Sequence, residues 1–542
     1  MIGWMAWRLH RRGLIGFGVG GFLVSFFYGT TFLQAAGTTA ASQAAFGRSI
    51  DLAARQFAFL VPAPVHPETL GGYEQYKWLA GAAIMMMLWA GIAGVGVGRG
   101  DEERGLTEQW VAAGLSRTRL LLARSAAFGL VLLAACLASV LGIAAVAPSV
   151  HQDPNLVGEL EKAVAMAAGL FTGYAIALAV SQLPAERQTA TALGVGVLVL
   201  LLVVNGIADT VDAAAWLGVL SPFHWMNQTT SGAPGGRFDV GATLGLAATS
   251  FLLIAATISA FRRRDIGRGL IAPARRARAA VRVASRNPAL RQIFSEGLWE
   301  QRTGLAAWAL GTLLLGALMV SVTRSMTEAL LADPRLAALF QHVVSGPMQA
   351  AFLGFAWFGI ALLVLAGHAV VQVSRWSAQD RSGRVELLLS APVSRTRVVV
   401  ERALEFAIGS LIIVTGAYVG GATSIPFAGL DVDGGRVLAA SALLWPFALA
   451  FGGLGVAVVS RWPGLAVPFL ATFAAVEYFL GDLAPLLRLP AWVANLSVFH
   501  LYGNPVVDTP SWTAVLSMTL VFVAGFALAL ALVRRRDLSG AA

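Results

Sequence analysis

Apolar residues in this chain fall into runs of about twenty, separated by short polar stretches rich in arginine. Wound as helix, a run of that length crosses the ~30 Å hydrocarbon core of a bilayer. Twelve runs fit: 14–35, 79–99, 121–147, 163–181, 190–207 and 242–261, then 304–322, 350–374, 402–422, 437–460, 463–480 and 512–533. The pattern predicts an all-α integral membrane protein with twelve transmembrane helices. The first run exceeds the ~7–15 residues of a signal-peptide core, so it reads as a retained helix.

The polar positions orient these spans. Only Lys77 and Lys162 are lysines, against 37 arginines, and a map with the N-terminus inside puts 30 of the 37 on the cytoplasmic side. Lysine and arginine bias sets topology, so both termini are expected in the cytoplasm. The stretch 262–303 alone holds eleven arginines. It divides the chain into a first six-helix half (1–261), an arginine-rich linker with a surface helix near 288–302 (262–303), and a second six-helix half (304–542).

Composition agrees with lipid as the solvent. Charged residues make up 13% of the chain and mean hydropathy is +0.71, whereas soluble domains carry roughly 25% charge. The net charge of +10 sits between apolar runs rather than on a polar platform, which excludes a nucleic-acid partner. Cys136, the single cysteine, allows no intrachain disulfide.

The halves align in parallel as two tandem repeats. At an offset of 278, eight of the 20 positions from 105 to 124 are identical, Arg124 with Arg402 included. Weaker echoes are Ser181-x-x-Pro184 with Ser460-x-x-Pro463, and Ser221-Pro-Phe223-His224 with Ser497-Val-Phe499-His500. Each half closes on Arg-Arg-Arg-Asp, at 262–265 and 534–537. Parallel repeats leave a pseudo-two-fold axis along the membrane normal.

The best-matched loops follow spans two and eight. A helix-compatible stretch of about ten residues begins after Gly105 or Gly383 and stops at Gly114 or Pro392, both poor in helices. Ser116 or Ser394 then stands where an N-cap belongs. Arg117 and Arg119, or Arg395 and Arg397, follow at the inner headgroups. Glu108 and Glu386 are the informative members, because a carboxylate does not serve inner-leaflet anchoring. The expected shape is a short surface helix joined by a tight corner to a span, which is a lever.

This loop resembles that of type-2 ABC exporter permeases, and the fused arrangement is similar to actinobacterial permeases of the polyketide-antibiotic (tetronasin-type) exporter group. The resemblance covers the whole chain in architecture, and the two loops in motif. It implies that each loop is a coupling helix seated in a groove of an ATPase subunit, two copies per permease chain. Carried over residue by residue, it implicates Gly105, Glu108, Ser116, Arg117 and Arg119, then Gly383, Glu386, Ser394, Arg395 and Arg397. It further implies ATP and Mg on the partner, no cofactor on this chain, and a place in the bacterial plasma membrane. A predominantly apolar interior with few fixed charges suggests lipophilic or amphipathic cargo, and the resemblance implies that it is drug- or antibiotic-like. The copies differ at Gly114 and Pro392, so the halves need not engage the ATPase equally.

No Gly-x-x-x-x-Gly-Lys-Ser/Thr loop surrounds either lysine, so a P-loop site for ATP is absent from the sequence and the motor is expected in trans. The rival reading is an ion-driven secondary transporter of the major-facilitator type, favoured by Asp380-Arg381-Ser382-Gly383-Arg384. Such carriers place carboxylates inside the membrane. Here Glu405 and Glu477 are expected near span ends and mid-span carboxylates are absent, which favours the ABC reading. Phe223, His224, Phe499 and His500 are candidates for an outer gate or interfacial anchors, and His368 in span eight is expected to be packed. No metal or catalytic grouping stands out. The outer loop 36–78 is expected to hold an amphipathic helix over 43–61, and Tyr73, Tyr76 and Trp78 an interfacial belt.

Overall fold

The structure, a computed structural model, describes residues 2–56, 62–152, 155–271, 292–332, 346–381, 383–486 and 491–534. Regular structure among the described residues is entirely helical. The chain forms two compact units, Met1–Ala280 and Val281–Ala542.

In the first unit, α1 (Ile2–Ala36) packs along α7 (Arg117–Val150). Small residues permit the approach: a methyl group on Gly21 would stand 3.1 Å from the Ala135 carbonyl oxygen, and one on Gly142 would overlap the Phe22 carbonyl. Between them in sequence lie α2 (Ala40–Gln56) and the helix of span two. The latter runs unbroken as α3 (Leu70–Lys77), a π-helical turn at Trp78–Ala82, α4 (Ala83–Val95), a second π turn at Gly96–Gly100, and α5 (Asp101–Glu103). After the short α6 (Leu106–Ala112) and α7 come α8 (Leu156–Val180), α9 (Arg187–Thr210), α10 (Pro222–Asn227) and α11 (Val240–Arg263). The core is aromatic: Phe128 stacks on Tyr174 at 4.5 Å, and Trp89 lies 5.1 Å from Phe128.

The second unit is likewise helical among its described residues. Its helices are α12 (Ile293–Ala332), α13 (Met348–Leu353), α14 (Gly359–Arg381) after a π turn at Gly354–Phe358, α15 (Arg384–Leu389) and α16 (Arg395–Ala428). They continue as α17 (Gly434–Arg461), α18 (Pro463–Leu486), α19 (Ala491–Ala494), α20 (Val498–Tyr502) and α21 (Trp512–Arg534). Here α12 and α16 pack where Gly416 and Gly420, one turn apart, face the carbonyls of Ala309 and Leu313. Phe447, Phe451 and Phe499 fill the core.

Among the described residues, ten helices are long and apolar enough to cross a membrane, which makes this a multi-pass protein. The two expected spans outside that ten, nine and eleven, lie on α16 and α18, and α18 counts only as a shorter apolar helix over Pro463–Tyr478. Both α7 and α16 have 34 residues, or ~51 Å, well beyond the hydrocarbon. Each carries a proline near its last turn, Pro148 and Pro426, and ends on a left-handed residue, His151 or Gly429.

Several expectations are revised. Residues 293–302 form no separate surface helix; they are the first turns of the 40-residue α12, while 288–291 lie outside the described residues. The expected helix over 43–61 spans Ala40–Gln56, and 57–61 are likewise outside them. Tyr73 and Trp78 form no lipid belt. Both are buried, Tyr73 against Phe32, Tyr28 and Phe46, because span two begins two turns earlier than its apolar run. Buried polarity is also richer than expected. Glu405 is buried beside Gln301 and Trp376, and Lys162 is buried with Glu74 and Glu159. His368 is packed as expected, stacked on Phe406 and edge-on to Trp308, but neither ring nitrogen has a hydrogen-bond partner.

Candidate functional site

Both lever loops have the expected anatomy, with shorter helices than expected: seven residues in α6 and six in α15. Gly105 and Gly383 initiate them in the left-handed region, at φ 68° and 73°, where a side chain is unfavourable. Their carbonyls accept the first helical bonds, from Gln109 N at 3.2 Å and Leu387 N at 3.1 Å. Gly114, also left-handed at φ 87°, ends α6 while Leu115 N donates back to the Trp110 carbonyl. Ser116 Oγ then accepts from Arg119 N, and Ser394 Oγ from Arg397 N, each at 3.2 Å. These caps satisfy N–H groups that would otherwise be orphaned at the start of α7 and α16.

At the root of each lever lies a buried ion pair. Arg124 donates through Nε and Nη2 to Asp101 Oδ2, at 3.1 and 2.8 Å. Arg402 donates to Asp380 Oδ1 at 2.5 Å. All four side chains are buried, and each pair joins the end of the helix before the lever to the helix after it. Two charged partners in a low-dielectric site hold each other strongly, because neither can regain its hydration alone. Trp110 of α6 adds its ring 5.8 Å from the Arg124 guanidinium, seating the lever on its root.

The two levers differ in what else they grip. In the first unit, Glu102 binds Arg264, Arg99 and Gly267 N, so the Arg-Arg-Arg-Asp run is tied to span two rather than free at a lipid surface. Arg117 donates to the carbonyls of Phe261 and Arg264, at 2.8 and 2.7 Å, and thereby caps the end of α11. A small cleft behind this lever is lined by Asp101, Thr107, Arg124, Gln182 and Phe261. In the second unit, Glu300 of α12 bridges Arg375 at 2.8 Å and Arg384 of the lever itself at 3.2 Å. Arg397 pairs with Glu401, whose other oxygen accepts from Phe294 N at the start of α12. Beyond its root, the first lever region thus reaches α11, and the second reaches α12.

Glu108 and Glu386 are exposed and lack ion-pair partners among the described residues; Arg119 is exposed, and Arg395 half-buried. The outer candidates have similar local frames, each a serine-capped short helix. Ser221 Oγ accepts from Phe223 N, and Ser497 Oγ from His500 N, both at 3.3 Å. Phe223 and Phe499 are core residues of their own units, His224 lies 3.9 Å from Asp209, and His500 is exposed. Sequence reasoning registered the repeat of Arg124 and Arg402 but not their partners.

Residues 6–265 match the family model described as ABC-2 family transporter protein. Residues 290–534 match that of the C-terminal domain of the multidrug efflux system permease Rv1217c. No individually curated protein matches the chain.

Proposed function

The chain belongs to the ABC-2 type permeases, and from that premise we propose that it couples ATP hydrolysis by a separate ATPase to outward movement of amphipathic small molecules. Two ATPase copies, carrying ATP and Mg, dock one at the lever end of each unit, at α6 and at α15. Those ends are cytoplasmic, as are both termini, by the arginine map of twelve spans. Exposed Glu108 and Glu386 offer charge to basic residues of the docking groove. Behind them the pairs Asp101–Arg124 and Asp380–Arg402 carry a push on the short helix into α7 and α16 without slack. The single observation that carries this reading is the pair of levers built alike, each rooted by a buried ion pair and presenting one unpaired carboxylate.

The Asp380-to-Arg384 run, which favours a major-facilitator carrier on sequence alone, is accounted for otherwise: Asp380 roots the lever and Arg384 bridges to Glu300. Interiors dominated by apolar and aromatic side chains support amphipathic cargo.

Copurification with candidate ATPase subunits tests the assignment. The wild-type chain is expected to hold the ATPase in a complex and to stimulate its hydrolysis. The double variant Glu108→Arg/Glu386→Arg is expected to fold normally and lose assembly, stimulation and ATP-dependent transport together. Unchanged assembly and transport in that variant would sink the coupling role.

A further inference from the structure

At the end of the first unit opposite its lever, Lys162 of α8 is ion-paired with two carboxylates, Glu159 one turn before it and Glu74 of α3. The three side chains are 1%, 0% and 0% exposed. Ser25 of α1 donates to Glu74 Oε1 at 2.5 Å and accepts from Trp78 Nε1 at 2.7 Å. The loop 229–232 closes over the cluster. Gln75 Nε2 donates to the Thr229 carbonyl at 2.8 Å, and Ser231 Oγ to the Gly158 carbonyl at 2.8 Å. Gly71 and Gly232 pack so closely that a methyl group on Gly71 would overlap the Gly232 carbonyl oxygen.

Counting charge leaves this cluster one short. Two carboxylates and one ammonium sum to one negative charge in a site without water contact, and a buried excess charge is neutralised rather than tolerated. Like charges sharing a site work against each other further. Among the described residues no neighbouring element pairs a further cation with these carboxylates: Arg237, just past the covering loop, and His151 at the end of α7 are both exposed. Lys77, on the same helix as Glu74, lies over the rings of Tyr28, Tyr73 and Tyr76, at 5.4–6.0 Å from their centroids. Cys136 of α7 is a buried free thiol, and α1 brings only Ser25 and Tyr28.

An independent observation concerns donors. Gln75 Oε1 and Glu159 Oε1 are both buried with no donor. Both face Gly232, at 2.8 and 2.9 Å from where a Cβ on that residue would stand. A corner holding only acceptors lacks a hydrogen. We propose that Glu74 and Glu159 bind one proton between them, carried on Glu159, and that this proton latches the outer end of span two. The proton neutralises the cluster and gives the acceptor corner its donor.

The latch sits at the far end of the lever's own helix. From Glu74 to Glu103 the chain is helical without a break, and Gly105 begins the turn into α6. Loss of the proton leaves a net negative charge between α3 and α8 and loosens that end of the helix. Among the described residues the second unit has no equivalent cluster, and residues 349–357 contain no ionisable side chain. The switch therefore acts on one half alone. It stands apart from the ATPase reading, because its first readout is spectroscopic.

Infrared spectra of the purified full-length protein in lipid test it, with the wild type compared with Glu159→Gln and, as a second route, Glu74→Gln. A carboxylic-acid C=O band is expected in the wild type at neutral pH and is lost in each variant, because removing either carboxylate lets Lys162 balance the other. Difference spectra that show only the loss of an ionised carboxylate would overturn the proposal. Thermal stability of the wild type is expected to fall as pH rises, and Glu159→Gln to abolish that fall. An identical pH response in the variant would equally overturn it.

Discussion

Arg124 and Arg402 lie buried and charged, each matched to an aspartate across a helix boundary. Replacing one member of such a pair leaves the other desolvated without compensation, at a cost of about 3–5 kcal/mol. Asp101→Asn and Asp380→Asn are therefore expected to lower thermal stability by roughly that amount, read by denaturation of the detergent-solubilised protein. The exposed Glu108→Gln is the control and is expected to shift stability by less than about 0.5 kcal/mol. The arginines were legible in the sequence because they recur at one offset. Their partners were not, since Asp101 stands four residues before Gly105 whereas Asp380 stands three before Gly383. Arg117 reads as an inner-leaflet anchor until the end of α11 arrives beside it to be capped.

Each lever depends on a backbone conformation as much as on its side chains. Gly105 and Gly383 are left-handed, and a methyl group on Gly105 would meet no atom within 4 Å, so the penalty of Gly105→Ala is purely conformational. A non-glycine residue there costs roughly 1–2 kcal/mol, and Ser116→Ala or Ser394→Ala about 1 kcal/mol. These variants are expected to retain the fold with a small drop in stability while lowering transport per ATP hydrolysed, measured in proteoliposomes. An equal fall in hydrolysis and transport would place the defect in docking rather than in the lever. The order of breaker, cap and arginines is local chemistry, so it could be read along the chain. The lengths were overestimated, because glycine φ and the Schellman-like turn at Gly114 shorten α6 from both ends.

Under the proposed coupling, each unit of long apolar helices takes its energy from whatever pushes its own lever. Transport into vesicles is thus expected to continue when ATP is supplied and the proton gradient is collapsed, and to cease when the ATPase subunit is withheld. Retention of gradient-driven transport without ATPase would return the chain to the carrier class. The proton of the Glu74–Lys162–Glu159 cluster sets a latch in this scheme and does not supply work. At this scale the apolar runs announced membrane helices, yet α7 and α16 extend past any hydrocarbon thickness, because helix continues as long as a neighbour covers it.

By itself the sequence determined the helical membrane class, the two-part order of elements, the two lever loops and the absence of a P-loop, because each depends on solvent matching or on chemistry within a few residues. Tertiary structure decided which charges meet: Asp101 with Arg124, Glu102 with Arg264, Glu300 with Arg384, and Lys162 with two glutamates. Burial turns those encounters into strong interactions, and burial is a property of packed neighbours rather than of any stretch of chain.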